Sequence, residues 1–537
     1  MNFLPEFLRA ASPRKRMAVE IFACAIAWWL AFVVLGFWFK GRWEFSPSLL
    51  GVGFCGFLGF LSWGWFNRQP NAAPPAPNLG GARFALVAEI APLRQNTPES
   101  LLIGVTTISN EPGDHPLYYA GDSHLLTLAP TRSGKGVGAI VPNLLLADRS
   151  ALVVDPKGEN ARITARRRRA FGKVFVLDPF GVAGQPPAAF NPLDALSRDS
   201  LDFAEDAATL ADALVIDGGE KDSHWNDEAK ALLSGLIMYV AAYEKKEHRA
   251  LGRVREYLTL PPAAFQEFLA EMSGTQAARG LIARTAARFM GKAPAEFSGV
   301  VSTAQRHTQF LDSPRIADAL ARSDFAFSDL VSGVASVFLV LPPDRLEAYN
   351  RWLRLMINAA LRDLARSPAK PARPILFLLD EFAALGRLEE VRRAVGLMAG
   401  YGVQIWTLVQ DLSQLQSLYG KSAETFWANA AVIQAFNVRD LETANKLSEF
   451  MGDQTISFQV ENKTSGETSS GAFGEKSSTS KNTSIVTQHQ ARRLLKPDEI
   501  INMPETSQLL LVKGFRPMAV FKLKYYEMPE FAGLFDG

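Results

Sequence analysis

The chain is 537 residues long, 48% hydrophobic, 21% charged and 10% aromatic, which excludes a disordered, collagen-like or coiled-coil-rod protein and is too long for one compact domain. Lys+Arg is 57 and Asp+Glu is 55, a formal net charge of +2, which argues against a wholly basic nucleic-acid coat and leaves room for a local basic groove. The two cysteines, Cys24 and Cys55, cannot build a disulfide scaffold or a Cys-rich zinc site.

In chain order, the first feature is a pair of apolar runs. From Met17 to Phe39 the only charge is Glu20, and Pro47 to Phe66 carries none. Each is long enough to cross a hydrocarbon core as a helix, which takes about 20 residues. Gly51, Gly53, Gly56, Gly59 and Gly64 would let the second helix pack closely on a neighbour, and Trp28, Trp29, Trp38, Trp43, Trp63 and Trp65 suit the interfaces. A cleaved signal peptide is the competing reading, but such apolar cores run to about 7–15 residues. Arg9, Arg14, Lys15 and Arg16 before the first run outnumber Lys40 and Arg42 after it. That asymmetry predicts a cytoplasmic N-terminus, a short outer loop at Lys40–Ser46, and everything after Phe66 inside.

Gln69–Gly80 (QPNAAPPAPNLG) is Pro-rich and reads as a linker between an anchor, residues 1–68, and the body. Short Val/Ile/Leu-rich runs then alternate with helical stretches. They are His124–Ala129, Ala151–Asp155, Val174–Asp178, Ser336–Leu341, Ile375–Asp380, Val403–Val409 and Val432–Phe436. Strands without polar alternation fit a parallel sheet buried on both faces, hence an α/β fold. Gln508–Val512 and Met518–Leu523 are predicted as an edge hairpin. Between Leu193 and about Val331 the pattern is helical, for example over Leu201–Val215 and Asp227–Lys245. This predicts an all-α insertion, residues 195–330, in a sheet domain made of 81–194 and 331–537. Ser465–Thr487 is Ser/Thr/Gly-rich and predicted to be a loop.

The chemistry concentrates at the ends of these strands. Ala129, Pro130, Thr131, Arg132, Ser133, Gly134, Lys135, Gly136 and Val137 follow the first strand. A strand–loop–GK–helix order is the phosphate-binding P-loop, whose N–H groups wrap phosphate oxygens while the lysine reaches the β- and γ-phosphates. Ala129 stands where the general pattern has Gly, and Gly136 where it has the Ser or Thr that ligates Mg²⁺. Ile375–Leu379 delivers Asp380 and Glu381 together. In ATP hydrolysis the first carboxylate holds Mg²⁺, usually through water, and the second polarises the attacking water. Val403–Val409 ends in Gln410, whose amide suits sensing of the γ-phosphate. ATP and Mg²⁺ are therefore the expected ligands.

With these motifs in place the chain resembles the type IV secretion coupling proteins, the VirD4/TraG family. The resemblance is carried by APTRSGKGVG at 129–138, VVDPKGEN at 153–160, FNPLD at 190–194, HWNDEA at 224–229, LLDEFAALG at 378–386, GYGVQIWTLVQDLSQL at 400–415 and LLKPDEI at 494–500, together with the paired N-terminal runs. It covers nearly the whole chain. Gly136 is the expected residue in this family, so the Mg²⁺ hydroxyl must come from elsewhere, with Thr131 and Ser133 both open. The resemblance implies a membrane-anchored, RecA-like P-loop ATPase of the bacterial inner membrane that acts as a homo-hexamer. Its implied partners are the inner-membrane components of a type IV secretion channel and a relaxase–DNA complex or effector proteins, with DNA itself a further candidate. The helical insertion is implied in substrate recruitment. The loop between the two spans is shorter here than the periplasmic segment of many relatives.

Other residues have two readings each. Arg387, Arg392, Arg393 and Arg439 are candidates for an arginine acting on the next subunit's nucleotide, or are ordinary surface. Arg166–Arg169 would line a DNA path or form a solvated helix face. Asp155 and Lys157 are expected to support the neighbouring strand, and His224 and Trp225 to pack or cap. Two other functions compete with the ATP-driven coupling protein: a non-hydrolytic docking receptor, favoured by Ala129 and Gly136, and a chromosome-type DNA translocase.

Overall fold

The computed structural model describes residues 79–108, 111–216, 223–468 and 478–537. The two apolar runs and the linker up to residue 78 lie outside the described residues. Among the described residues no helix is long and apolar enough to cross a membrane.

The chain falls into two units: Met1–Leu79 with Ser457–Gln490, and Gly80–Ile456 with Ala491–Gly537. In the larger unit the order begins β1 (Leu101–Ile108), β2 (Glu111–Tyr119), β3 (His124–Leu128), α1 (Val141–Leu146), β4 (Ala151–Asp155), α2 (Glu159–Phe171) and β5 (Lys173–Leu177). Among the described residues only helices follow until the next strand: α3 (Phe203–Leu214), α4 (Ser223–Tyr243), α5 (Leu251–Leu258), α6 (Pro262–Ser273), α7 (Leu281–Met290), α8 (Pro294–Thr308), α9 (Pro314–Ala319) and α10 (Asp329–Ser332). Then come β6 (Ala335–Val340), α11 (Pro343–Ala365), β7 (Ile375–Leu379), α12 (Glu389–Leu397), β8 (Val403–Val409), α13 (Leu412–Tyr419), α14 (Glu424–Ala428), β9 (Ala430–Phe436) and α15 (Leu441–Met451). The strands β10 (Asp453–Thr468) and β11 (Ser478–Arg493) precede α16 (Pro497–Ile501), β12 (Ser507–Val512) and β13 (Met518–Phe521).

The main sheet has 11 strands in the order β2-β1-β13-β12-β9-β3-β8-β7-β4-β6-β5. From β9 to β5 every neighbouring pair is parallel. These are the apolar runs of the sequence, and all but β5 are buried on both faces as predicted; β5 ends the sheet, and Lys173, Val174 and Phe175 are exposed or only partly buried. Alternation decides which face: Leu126, Leu128, Leu152 and Val154 pack into one core, and Leu125, Ala129, Ala151 and Val153 into another. The whole sheet is mixed rather than parallel, because β12, β13, β1 and β2 extend it in antiparallel fashion.

Two expectations change here, and two strands appear that the sequence did not suggest. The β12–β13 hairpin exists, but it is interior, with β9 on one side and β1 on the other. The edge strand at this end of the sheet is β2, and Pro116 within it lacks an N–H to give, which an edge tolerates and a centre does not. β1 and β2 had no buried-strand signature because Gly104, Gly113 and Pro116 interrupt them. The Ser/Thr-rich segment is also more than a loop: β10 and β11 pair in a two-stranded sheet. Thr and Ser at alternating positions satisfy a ribbon wetted on both faces, which apolar periodicity cannot detect. In the smaller unit Ser457 Oγ lies 2.8 Å from His489 Nδ1, and Phe458, Ile485 and Val486 are exposed.

Candidate functional site

In the parallel half of the sheet all strands end at one edge, where loops converge and α/β proteins place ligands. The register sets the alignment. Val154 pairs with Leu379, Leu379 with Thr407, and Leu128 with Val409. The residues just beyond, Asp155, Asp380, Gln410 and the loop from Ala129, therefore emerge side by side.

The loop after β3 turns sharply. Arg132 has φ +64° and Gly134 φ +91°, both left-handed. Ser133 N–H donates to the Pro130 carbonyl at 3.1 Å, and Gly138 N–H to that of Gly134 at 2.8 Å. Gly136–Ile140 is one turn of π-helix leading into α1, a local distortion that recurs at functional sites. The first N–H groups of such a helical start have no acceptor within the helix and point into the loop. Ser133 is buried and its hydroxyl has no hydrogen-bond partner among the described residues, whereas Thr131 is exposed.

Lys135 joins the two halves of the site. Its Nζ lies 2.8 Å from Asp380 Oδ1 and 2.5 Å from Glu381 Oε1. Gln410 Nε2 donates to Glu381 Oε2 at 3.3 Å. Glu381 sits at φ +49°, ψ +41°, an unfavourable conformation for a non-glycine residue, and its N–H donates to Asp380 Oδ1 at 2.9 Å. Burial opposes the lysine's charge, but the two carboxylates outweigh it and hold its pKa above the usual value. For Asp380 burial wins over the attraction of Lys135, so its pKa is raised. Glu381 is less buried; Lys135, the Gln410 hydrogen bond and Lys157 overcome desolvation and keep its pKa low. All four residues assigned to catalysis from the sequence, Lys135, Asp380, Glu381 and Gln410, are thus in one contiguous network.

Asp155, expected from the sequence to support the neighbouring strand, lies beside this network, and Gly158 and Lys522 join it without a sequence signal. Asp155 is buried at the end of β4, with Oδ2 accepting from Ala161 N–H at 2.8 Å. Burial pushes its pKa up to about 7, its hydrogen bonds offset part of this, and Asp380 adds to it. Gly158, at φ +66°, closes the turn after Asp155; a Cβ there would come within 2.9 Å of Ala183. Lys522, just past β13, donates to the Ser133 carbonyl at 2.9 Å and to Asn437 Oδ1 at 3.0 Å. Its burial lowers its pKa. No local pattern ties Lys522 to a loop so distant in sequence.

The arginine run splits. Arg168 is 1% exposed; it donates to Ser336 Oγ at 2.8 Å, to the Ala147 carbonyl at 2.6 Å and to the Arg149 carbonyl, and burial draws its pKa down to about 10. It fastens α2 to the sheet and is neither a solvated face nor a DNA contact. Arg166 pairs with Asp536 at 2.6 Å, and Arg169 donates to Gln185 at 2.8 Å. Among the four arginine candidates, Arg387 and Arg392 pair with Glu389, Arg439 lies 3.8 Å from Glu505, and Arg393 is exposed. Trp225 packs over Gly299, and His224 is 4.0 Å from Glu296, which agrees with structural roles.

Comparison with known proteins gives a consistent result. A family model described as "Type IV secretory system Conjugative DNA transfer" matches residues 88–534. A conjugal transfer protein TraG of Escherichia coli is 34% identical over 412 residues, which span 73% of this chain and 63% of that protein. Protein VirD4 of Agrobacterium fabrum is 28% identical over 421 residues, 77% of this chain and 60% of that one. The chain thus spans a little under two thirds of the length of these relatives. Among solved structures, plasmid coupling protein TrwB in complex with a non-hydrolysable ATP analogue superposes with a TM-score of 0.61 at 17% identity, over 84% of this chain and 96% of that one. TrwB with ADP and Mg²⁺ gives 0.60. At this identity the likeness establishes the α/β fold with its large mixed sheet.

Proposed function

The chain belongs to the type IV secretory system conjugative DNA transfer family, and from that premise we propose that it is an ATPase that couples a relaxase–DNA complex or effector proteins to a type IV secretion channel. The single observation that carries the enzymatic part is Lys135 held 2.8 and 2.5 Å from Asp380 and Glu381. A P-loop lysine and an acidic strand end have been brought together from positions 245 and more residues apart. The site has the donors, charge and loop shape that a nucleoside triphosphate with Mg²⁺ needs, and the TrwB complexes hold such ligands.

The loop N–H groups and Lys135 bind phosphate oxygens, so the lysine exchanges its carboxylate partners for phosphate. Glu381 is then released to accept hydrogen bonds from a water and orient it, and Gln410 keeps that carboxylate ionised and aimed. Asp380 and the Ser133 hydroxyl, which is buried without a partner among the described residues, would hold a Mg²⁺ ion, which when bound would supply neutralisation of phosphate charge. Asp155 and Lys522 support the loop and the neighbouring strand from behind.

The wider reading follows the same premise. Residues 81–194 and 331–537 act as a RecA-like nucleotide-binding domain, and 195–330 as an all-α insertion that recruits cargo. Only helices occur between β5 and β6 among the described residues, which supports this division. Residues 17–39 and 47–66 anchor the chain in the bacterial inner membrane with its bulk in the cytoplasm, and six copies form the working ring. These rest on hydropathy, charge and family.

The test is ATP hydrolysis by full-length, detergent-solubilised protein over a concentration series, with and without single-stranded DNA. Turnover rising steeply with concentration is expected, together with a loss of at least about 100-fold in Lys135→Ala and Glu381→Gln. Wild-type turnover in either variant overturns the assignment. Absence of hydrolysis in every condition favours the docking receptor that Ala129 and Gly136 suggest.

A further inference from the structure

The strand order brings a second lysine to the phosphate loop. β12 runs antiparallel to β9, and β13 antiparallel to β12, so β13 points the same way as β9 and β3. Lys522, just past β13, and Asn437, just past β9, therefore leave the sheet at the edge where the loop from Ala129 leaves it. The chain after β13 is fixed there. Leu523 and Tyr525 share a core cluster with Val141 and Leu145 of α1, and a Cβ on Gly138 would come within 3.0 Å of the Leu523 carbonyl. Lys522 Nζ lies 5.7 Å from the centre of the Phe436 ring. It donates to Asn437 Oδ1 at 3.0 Å and to the Ser133 carbonyl at 2.9 Å.

The Ser133 carbonyl shares a peptide unit with the Gly134 N–H. In a trans peptide, as here, the two point in opposite directions. By drawing the carbonyl to itself, Lys522 turns the Gly134 N–H to the other side of the loop. That N–H donates to no protein acceptor among the described residues. An ammonium on the carbonyl also polarises the amide and makes its N–H a stronger donor. Gly134 sits at φ +91°, and glycine resists a change of backbone conformation less than any other residue. An unheld peptide at this point could turn its carbonyl, instead of its N–H, towards an anion. We infer that Lys522 is a positioning residue for phosphate binding: by holding the Ser133 carbonyl it keeps the Gly134 N–H turned into the loop, where an oxygen of a nucleotide's phosphate chain accepts from it. The inference rests on the reading of 129–137 as the nucleotide site. That hydrogen bond is made alike to bound nucleotide and to the transition state, so Lys522 contributes to affinity and not to the chemical step.

The experiment uses full-length, detergent-solubilised protein. It measures melting without ligand, affinity for ATP and for tripolyphosphate by competition against a fluorescent ADP, and KM and kcat for ATP. Lys522→Met keeps the apolar stem and removes the donors. It should weaken ATP and tripolyphosphate alike by about tenfold and raise KM by the same factor, while kcat stays within about twofold. Lys522→Arg still donates to the carbonyl and should recover most of the affinity. If the protein binds nucleotide without hydrolysing it, the affinities alone decide. A merely structural lysine would lower the melting temperature and leave affinity and KM at wild-type values; that result overturns the inference, as does a fall in kcat at constant KM. A loss for ATP with none for tripolyphosphate also overturns it, because the contact would then be to base or sugar. Lys135→Ala is the control for the underlying reading. If it binds ATP as the wild type does, the nucleotide site lies elsewhere and both readings fall. If it loses ATP while Lys522→Met binds normally, only the Lys522 inference fails. Should Lys522→Met fold poorly, Asn437→Gly accepts the positive φ of that position and frees the ammonium from its second partner. A raised KM is expected there too, and an unchanged one refutes the inference.

Discussion

Asp155 makes the fold's stability depend on pH in an unusual direction. Unfolded, its carboxyl titrates near 3.8; at the end of β4, burial pushes it up to about 7. Below pH 3.8 both states hold the proton and the group leaves stability unchanged. Above it the unfolded chain releases its proton while the folded chain retains its own. Ionisation therefore favours the unfolded state progressively, until the folded carboxyl also ionises near pH 7. The interval from 3.8 to about 7 corresponds to about 4 kcal/mol of stability, present at pH 4 and lost by neutrality. Asp155→Asn removes the titration and keeps an oxygen to accept from Ala161 N–H. The assay is denaturant unfolding of ligand-free protein and variant from pH 4 to 8. Each curve carries every other titrating group, so the difference between them isolates Asp155. It should fall by about 4 kcal/mol in favour of the variant across that range. A difference flat to within about 1 kcal/mol would show that the carboxyl ionises normally and that the burial argument is wrong.

Other expectations address the site and its support. Gln410→Ala should slow hydrolysis about tenfold with little change in nucleotide affinity, and the acid limb of the pH–rate profile should move upward, because the lost hydrogen bond favoured the ionised Glu381. Thr127 donates to Gln434 Oε1 at 2.8 Å and accepts from Trp406 Nε1 at 2.8 Å. Thr127→Val strands both groups inside the sheet and should cost about 2–4 kcal/mol, read from the unfolding midpoint. Arg168→Leu leaves the Ala147 and Arg149 carbonyls unmet and should lower the unfolding temperature by many degrees. A variant of normal stability with weakened DNA binding would instead restore the DNA-path reading.

The parallel half of the sheet was legible because its strands, apart from the terminal β5, are buried on both faces, which leaves uninterrupted apolar runs. Lys135, Asp380, Glu381 and Gln410 were legible because parallel strands release their next residues at one edge, so position after a strand predicts position in space. The antiparallel half was not. Gly104 and Pro116 break the runs of β1 and β2, and the interior place of β12 and β13 depends on pairings between opposite ends of the chain. Lys522 at the loop and the split fate of Arg166–Arg169 are tertiary facts of the same kind. Helical periodicity alone assigned all four arginines one environment, while Arg168 is sunk among backbone carbonyls and Arg166 reaches the C-terminal segment.

The strand order has a consequence for synthesis. β13 and β12 separate β1 from the rest of the main sheet, and Val105 pairs with Phe521. The β1–β2 hairpin therefore leaves the ribosome long before the strands that dock it to the rest of the sheet. During that interval β9 is an open edge, with its outward N–H and C=O groups unpaired until β12 arrives. Late closure of this kind is slow and invites pairing with other chains. Products ending before Ser507 would keep every residue of the Lys135–Asp380–Glu381 cluster and still expose that sticky edge. A stop before Ser507 is thus expected to yield aggregates rather than a weakened enzyme.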